Sequence, residues 1–157
     1  MPNWIKGTMK LRGKREDIYR FFKDGLDASN WPKPEDRENQ VIDESGENYL
    51  EFSFCNEPHI AGTRRAFITD DNVFMEDEEG VVCVDVKQAW AFDAGENDLA
   101  NWKAISDMYN LDIRLFGIEC GMRFTQEIII IWDRRPIVNN KKYEDWDWEC
   151  PFPNMGG

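Results

Sequence analysis

The chain has 157 residues and a formal net charge of −12, the length of one ordinary domain. That charge repels nucleic-acid phosphates and anionic lipid, so direct contact with nucleic acid or a membrane surface is not expected. Seven Trp and ten Phe exclude an acidic disordered chain, which would be poor in aromatics.

In chain order, residues 4–12 alternate loosely up to Gly13 and read as a strand. Residues 14–26 place Ile18, Phe21, Phe22 and Leu26 on one side of a helix. The polar stretch 27–47, with Pro32, Pro34 and Gly46, reads mostly as loop. Residues 49–54 alternate strictly, with Leu50, Phe52 and Phe54 on one face of a half-buried strand, and a short strand is expected over 65–69. The acidic stretch 70–80 reads as an exposed turn, and 81–92 as a long strand with Val82, Val84 and Val86 on one face. Asn97 or Asp98 opens a helix with the stripe Leu99, Trp102, Ile105 and Tyr109, and Asn110 is a left-handed stop. Two strands follow, 111–118 and 124–132. The second is the most apolar run in the chain and is expected to be buried on both faces or central in its sheet, ended or edged by Pro136.

Strand, helix, strands, helix, strands is an α+β order. Two helices with one apolar stripe each suit one face of an antiparallel sheet, a ferredoxin-like arrangement over residues 1–140. Residues 141–157 form an acidic, Trp-rich C-terminal extension or edge strand. If extended, Trp146, Trp148 and Cys150 point one way and Asp145, Asp147 and Glu149 the other.

Little in the chain has the pattern of a catalytic or metal site. His59 is the only histidine. With Glu57 or Glu119 as an orienting partner it would be a general base, and with Cys55 part of a nucleophile pair; otherwise it is a surface histidine. The run Asp70-Asp71…Glu76-Asp77-Glu78-Glu79 lacks the spacing of a calcium loop, and the two glycines in 117–121 form no phosphate-cradling motif. Cys55, Cys83, Cys120 and Cys150 are widely spaced and include no CxxC pair, so reduced thiols in a cytoplasmic protein are expected, with no metal and no cofactor. Met1-Pro2-Asn3-Trp4 does not have the basic and apolar regions of a secretion signal, and no run of about 18 apolar residues occurs. The basic pairs Arg64-Arg65 and Arg134-Arg135 are read as partners of acidic neighbours on the sheet.

Several pieces resemble a known family: Met1-Pro2-Asn3-Trp4, Gln88-Ala89-Trp90, Trp102 within a helix, Tyr109-Asn110-Leu111, and Glu119-Cys120-Gly121-Met122-Arg123-Phe124. Together they are similar to the Api92-like proteins with the YubB ferredoxin-like domain, where a Glu-x-Gly-x-x-Phe stretch joins the last two strands. The resemblance implies a ferredoxin-like fold and a setting on bacteriophages and mobile elements, hence a bacterial host cytoplasm. It carries over no catalytic residues.

The leading expectation is therefore a non-enzymatic accessory protein that binds a host protein with a basic surface, such as a nucleic-acid-handling defence enzyme, by charge mimicry. The candidate contact residues are Glu76, Asp77, Glu78 and Glu79 in the acidic run, and Asp145, Trp146, Asp147 and Trp148, where Trp anchors sit among acids that would steer toward a basic partner. Plain solubility also accounts for the acidity. The alternatives are a small carboxylate-dependent enzyme and a self-assembling protein with Trp146 and Trp148 in a homodimer interface.

Overall fold

The computed structural model describes residues 3–27, 41–93 and 97–154; the expected loop with Pro32 and Pro34 lies outside them. The elements are β1 (Trp4–Lys14), α1 (Arg15–Asp24), β2 (Leu26–Asp27), β3 (Val41–Asp43), β4 (Leu50–Phe54), β5 (His59–Ile60), β6 (Ala66–Ile68) and β7 (Asn72–Met75). They continue with β8 (Glu79–Ala89), α2 (Asp98–Tyr109), β9 (Asp112–Glu119), β10 (Phe124–Ile130), β11 (Ile137–Lys142) and the single helical turn α3 (Trp146–Glu149).

Eight strands form one sheet in the order β11-β10-β9-β1-β8-β6-β5-β2, and three form a second in the order β3-β4-β7. This overturns the ferredoxin-like expectation. That fold needs a parallel pair made by a strand–helix–strand crossover. Here β1 is antiparallel to β8 over its whole length, from Trp4 opposite Ala89 to Lys14 opposite Glu79. It is also antiparallel to β9, from Lys6 opposite Ile118 to Arg12 opposite Asp112. Every other neighbouring pair is antiparallel too. The protein is mainly antiparallel sheet with short helices.

Alternation sets the faces. Ile5, Met9 and Leu11 of β1, Val82, Val84 and Val86 of β8, and Ile113 and Leu115 of β9 are all buried on the core side. Gly7 and Gly117 face each other across β1 and β9 in that layer. A side chain at Gly7 would run into the Phe116 carbonyl, and one at Gly117 would come within 2.7 Å of both Ile5 and Phe92. The glycines thus let the strands approach and let the buried ring of Phe92 lie across them.

Helix α1 joins the two sheets. Its Ile18, Phe21 and Phe22 are buried. Phe22 lies 5.7 Å from the ring of Phe52 and 5.5 Å from that of Phe54, both on β4, while Phe21 meets Tyr109 of α2 edge-on at 5.6 Å. The first turn has no side-chain cap. Instead the Arg15 amide donates to the Glu78 carbonyl at 2.8 Å, and the Arg15 guanidinium to the carbonyl of Glu76. Helix α2 buries Trp102, Ile105 and Tyr109 and stops at Asn110, whose φ of 54° is the left-handed conformation expected there. The Trp102 indole donates to Gln88 at 3.2 Å and to the Phe92 carbonyl at 3.1 Å.

Three local readings are corrected. The stretch 70–80 is not all turn: β7 runs through it with Val73 and Met75 buried. The apolar run in β10 is not central, because β11 pairs outside it and β1 holds the middle. The C-terminal extension belongs to the edge strand β11 only as far as Lys142 and is not extended at its tryptophans. Tyr143, Trp146 and Cys150 follow helical spacing and bury together against Ile118 and Cys120, while Trp148 turns outward and is 87% exposed.

Candidate functional site

The small sheet turns Leu50, Phe52, Phe54, Val73 and Met75 inward. Its outward face follows from the register. Ile42 lies opposite Ser53, which lies opposite Asn72, and Glu51 lies opposite Phe74. Ile42, Tyr49 and Phe74 are exposed large side chains, with the rings of Tyr49 and Phe74 5.8 Å apart. Around them stand Glu44, Glu47 and Glu51. Ser53 donates to the Glu44 carboxylate at 2.7 Å.

The sequence explains the charge of this region. Residues 41–63 and 66–86 contain twelve carboxylates and no Lys or Arg. Among the described residues only two of the twelve form ion pairs, Asp43 with Lys23 and Glu57 with Lys87. Asp43 also accepts from the Tyr19 hydroxyl at 2.8 Å and the Ser45 amide at 3.1 Å. Burial pushes its carboxyl upward, but these hydrogen bonds outweigh that effect and hold it down at about 2. The same bonds raise the Tyr19 hydroxyl and the Lys23 ammonium above their ordinary values. This network pins the edge strand β3 to α1.

Glu76, Asp77 and Glu78 form the exposed turn between β7 and β8, and Glu79 begins β8. Their side chains make no ion pair among the described residues, since Arg15 takes only main-chain oxygens of the turn. Beside them lies an open cleft of about 640 Å³, lined among others by Glu16, Glu47, Glu78 and Glu79 and by the two cations Lys14 and Arg15. The turn and the small sheet thus form one continuous acidic region.

The C-terminal candidates do not join it. Glu79 lies opposite Lys14, whereas α3 packs on Ile118, which lies opposite Lys6. Eight residues along β1 separate the two places by roughly 27 Å. Within the C-terminal cluster, Trp146 is buried, meets the Tyr143 ring edge-on at 5.5 Å and donates its indole N–H to the Pro153 carbonyl at 3.1 Å. Trp146 therefore holds the segment in place. Asp145, Asp147 and Trp148 are exposed.

The open face of the large sheet has a different character. Lys6, Thr8, Lys10 and Arg12 alternate outward along β1, beside Arg114 and Phe116 of β9 and Asp85 and Lys87 of β8. Phe116 is exposed. Arg12 pairs with Asp112, and Arg114 with Glu127, at 2.5 Å each; the Arg114 hydrogen bonds hold the Glu127 carboxyl below its usual value. Lys6 and Lys10 form no ion pair among the described residues. Trp4 and Phe67 meet edge-on at 6.0 Å, with the Lys87 ammonium 5.3 Å from the Trp4 ring centre. This face drew no notice as a site in the sequence. The signal was present as Lys, Thr, Lys, Arg at every second residue of a strand.

The groups considered for catalysis are occupied otherwise. Glu119 is buried and accepts from the Gly121 amide at 2.9 Å and from that of Met122, shaping the β9–β10 turn. His59 holds Nε2 3.0 Å from the Thr63 carbonyl and Nδ1 3.5 Å from the Asp27 carboxylate. Cys55 is exposed, and burial raises the Cys120 thiol. Of the basic pairs, Arg64 lies 3.5 Å from the buried Asp98 and stacks on Trp90, and Arg65 stacks on Trp4; Arg134 and Arg135 are exposed. Among the described residues no group of three or more His, Cys, Asp or Glu side chains is placed to hold a metal ion, and no helix is long and apolar enough to cross a membrane. Compared with known proteins, the chain matches no family model, no curated protein and no solved structure.

Proposed function

We propose that this chain is a protein-binding module and not an enzyme, and that the acidic outward face of the small sheet, with the adjoining turn 76–79, is its docking surface. One observation carries the reading: 41–63 and 66–86 contain twelve carboxylates without a single Lys or Arg, and the small sheet among them exposes Ile42, Tyr49 and Phe74 beside Glu44, Glu47 and Glu51. Carboxylates left without counter-ions repel one another, and a cationic surface relieves that repulsion on contact. The apolar side chains supply area that desolvates on binding.

The partner class is a protein with a basic surface, of the kind that handles nucleic acid, met in a bacterial cytoplasm. The chain's carboxylates would occupy the surface that contacts phosphate. The resemblance to phage and mobile-element proteins supplies this setting and nothing about the fold. The docking region moves relative to the sequence expectation. Glu76, Asp77, Glu78 and Glu79 remain in it, while Asp145, Trp146, Asp147 and Trp148 fall outside.

The test is capture from a bacterial lysate at low salt, eluted with a salt gradient. A basic nucleic-acid-handling protein should be released by moderate salt, lost with the pair Glu51→Gln and Phe74→Ser, and retained with Trp148→Ala. Retention by the small-sheet pair, or binding unchanged in molar salt, would overturn the reading.

A further inference from the structure

The two outward faces look away from a shared core and carry opposite surpluses of charge. On the small sheet and the segments that adjoin it, Glu44, Glu47, Glu51, Asp70, Asp71 and the four acids of 76–79 have no ion pair among the described residues. On the large sheet, Lys6 and Lys10 stand unpaired two strand-pleats apart on β1, flanking Thr8. Phe116 lies opposite Thr8 on the neighbouring strand, and Arg114 opposite Lys10. Thr8, Lys10, Arg114, Phe116 and Glu127 line a shallow concavity of about 270 Å³. Both faces therefore expose apolar side chains, and their charges are unequal: around Thr8 the unpaired cations Lys6 and Lys10 outnumber one unpaired anion, Asp85, whereas the small-sheet side has unpaired anions throughout.

We propose that the open face of the large sheet binds the acidic small-sheet face of a second copy of this chain, head to tail. The proposal rests on the reading of the small-sheet face as a docking surface and names one ligand for it. A two-fold dimer through the acidic face would set carboxylate against carboxylate, because such an interface places the same patch on both partners. A heterologous contact avoids this, since it joins two different patches. Phe74 of one copy would seat near Phe116 of the next, with Glu44 and Glu51 reaching Lys6 and Lys10. Each copy keeps one free acidic and one free basic face, so the contact propagates into short chains. Docking on a copy also masks the acidic face, and a more basic partner must displace it. Charge drives the contact, so it weakens with salt.

The test uses purified full chain in sedimentation equilibrium at about 20 mM salt, where charges act over roughly 20 Å, and in molar salt, where they act over about 3 Å. The mass should exceed that of one chain and grow with concentration at low salt, and fall to one chain in molar salt. The pair Lys6→Gln with Lys10→Gln, and separately the pair Glu51→Gln with Phe74→Ser, should each weaken association by about tenfold or more; all four residues are outward-facing, and a thermal melt confirms that the variants fold. The decisive sample is the mixture of the two variants. Each retains one good face, so together they should form a one-to-one pair and nothing larger. A chain that stays single at low salt, association that survives molar salt, or a mixture that stays unpaired would overturn the proposal. So would association that appears only on adding a single-stranded oligonucleotide, which would assign the basic face to nucleic acid. If the chain stays single while the Glu51 and Phe74 variant loses the lysate partner, this inference fails and the proposed function stands. If the chain associates as described but that variant keeps its lysate partner, the proposed function fails and this inference stands.

Discussion

The two sheets are built alike inside and differently outside. Both bury one apolar face in the same core. On the large sheet cations and carboxylates are interspersed and several pair across strands or loops, as in Arg12 with Asp112, Arg114 with Glu127 and Lys87 with Glu57. On the small sheet nearly every outward charge has one sign, and the cation that helps, Lys23, reaches in from α1 to the edge strand. Solubility requires charge, but it does not require charge of one sign gathered around exposed aromatic rings. The small sheet thus contributes core to the fold while its surface works against the fold. That combination is expected of a docking surface, where stability is given up locally for binding.

Four experiments break or sharpen this contrast. The largest effect is expected for Phe22→Ala. The ring is fully buried and reaches Phe52 and Phe54 of the small sheet from α1, so its loss should cost about 3–5 kcal/mol in denaturant unfolding. If the small sheet depends on α1, its amides should lose hydrogen-exchange protection before those of β1. Equal loss in both sheets would show that they unfold as one unit.

Next, Trp146→Ala should cost about 2–4 kcal/mol, confined to the C-terminal segment, because Trp146 packs in a satellite cluster separate from the main core. Trp148→Ala should leave stability unchanged, since that ring is in solvent. Proteolysis near residue 145 reads the difference: rapid cutting in the first variant and not in the second. Similar cutting in both would contradict the buried placement of Trp146.

The third is Asp43→Asn, with an expected cost of about 1–2 kcal/mol at neutral pH after allowing for solvent screening. The carboxyl sits at about 2 when folded, against an ordinary 3.8. Its contribution is therefore full above the ordinary value and is lost as pH falls from there through about 2. Unfolding free energies of the native chain and the variant should differ at pH 6 and converge near pH 2. A difference that persists at pH 2 would mean that packing, not charge, links β3 to α1.

The smallest effect has the opposite sign. Glu51→Gln or Glu78→Gln should raise stability by a few tenths of a kcal/mol at low salt, because each removes a carboxylate from a region of like charge. The gain should vanish in molar salt. A loss of stability instead would point to a cation that satisfies these groups.

Much of this was legible residue by residue. The alternation in β4 and β8 marked their buried faces correctly, the stripe in α2 gave its core residues, and Asn110 gave its end. Strand pairing was not legible, because periodicity shows which way a side chain points and says nothing about which strand lies beside it. The helices suggested a crossover that the antiparallel β1–β8 pair excludes. β7 was hidden because only Val73 and Met75 carry its apolar face, next to a run of acids. The C-terminal reading failed on a real ambiguity. Trp146, Trp148 and Cys150 fit a period of two, Trp146 and Cys150 also fit a helical turn, and in a segment this short the packing against Ile118 and Cys120 decides. The acidic region was visible as a run of residues, but its continuity with Glu44 and Glu51 depends on β4 pairing with β3 and β7.

The central place of β1 has a consequence for synthesis. β1 leaves the ribosome well before its partners β8 and β9, which end at Ala89 and Glu119. At about 5–20 residues per second, roughly 5–20 s pass between the emergence of β1 and the completion of β9. During that interval Ile5, Met9 and Leu11 have no sheet to enter, and the lysines and arginine between them keep the nascent strand from pairing with its own copies on neighbouring ribosomes.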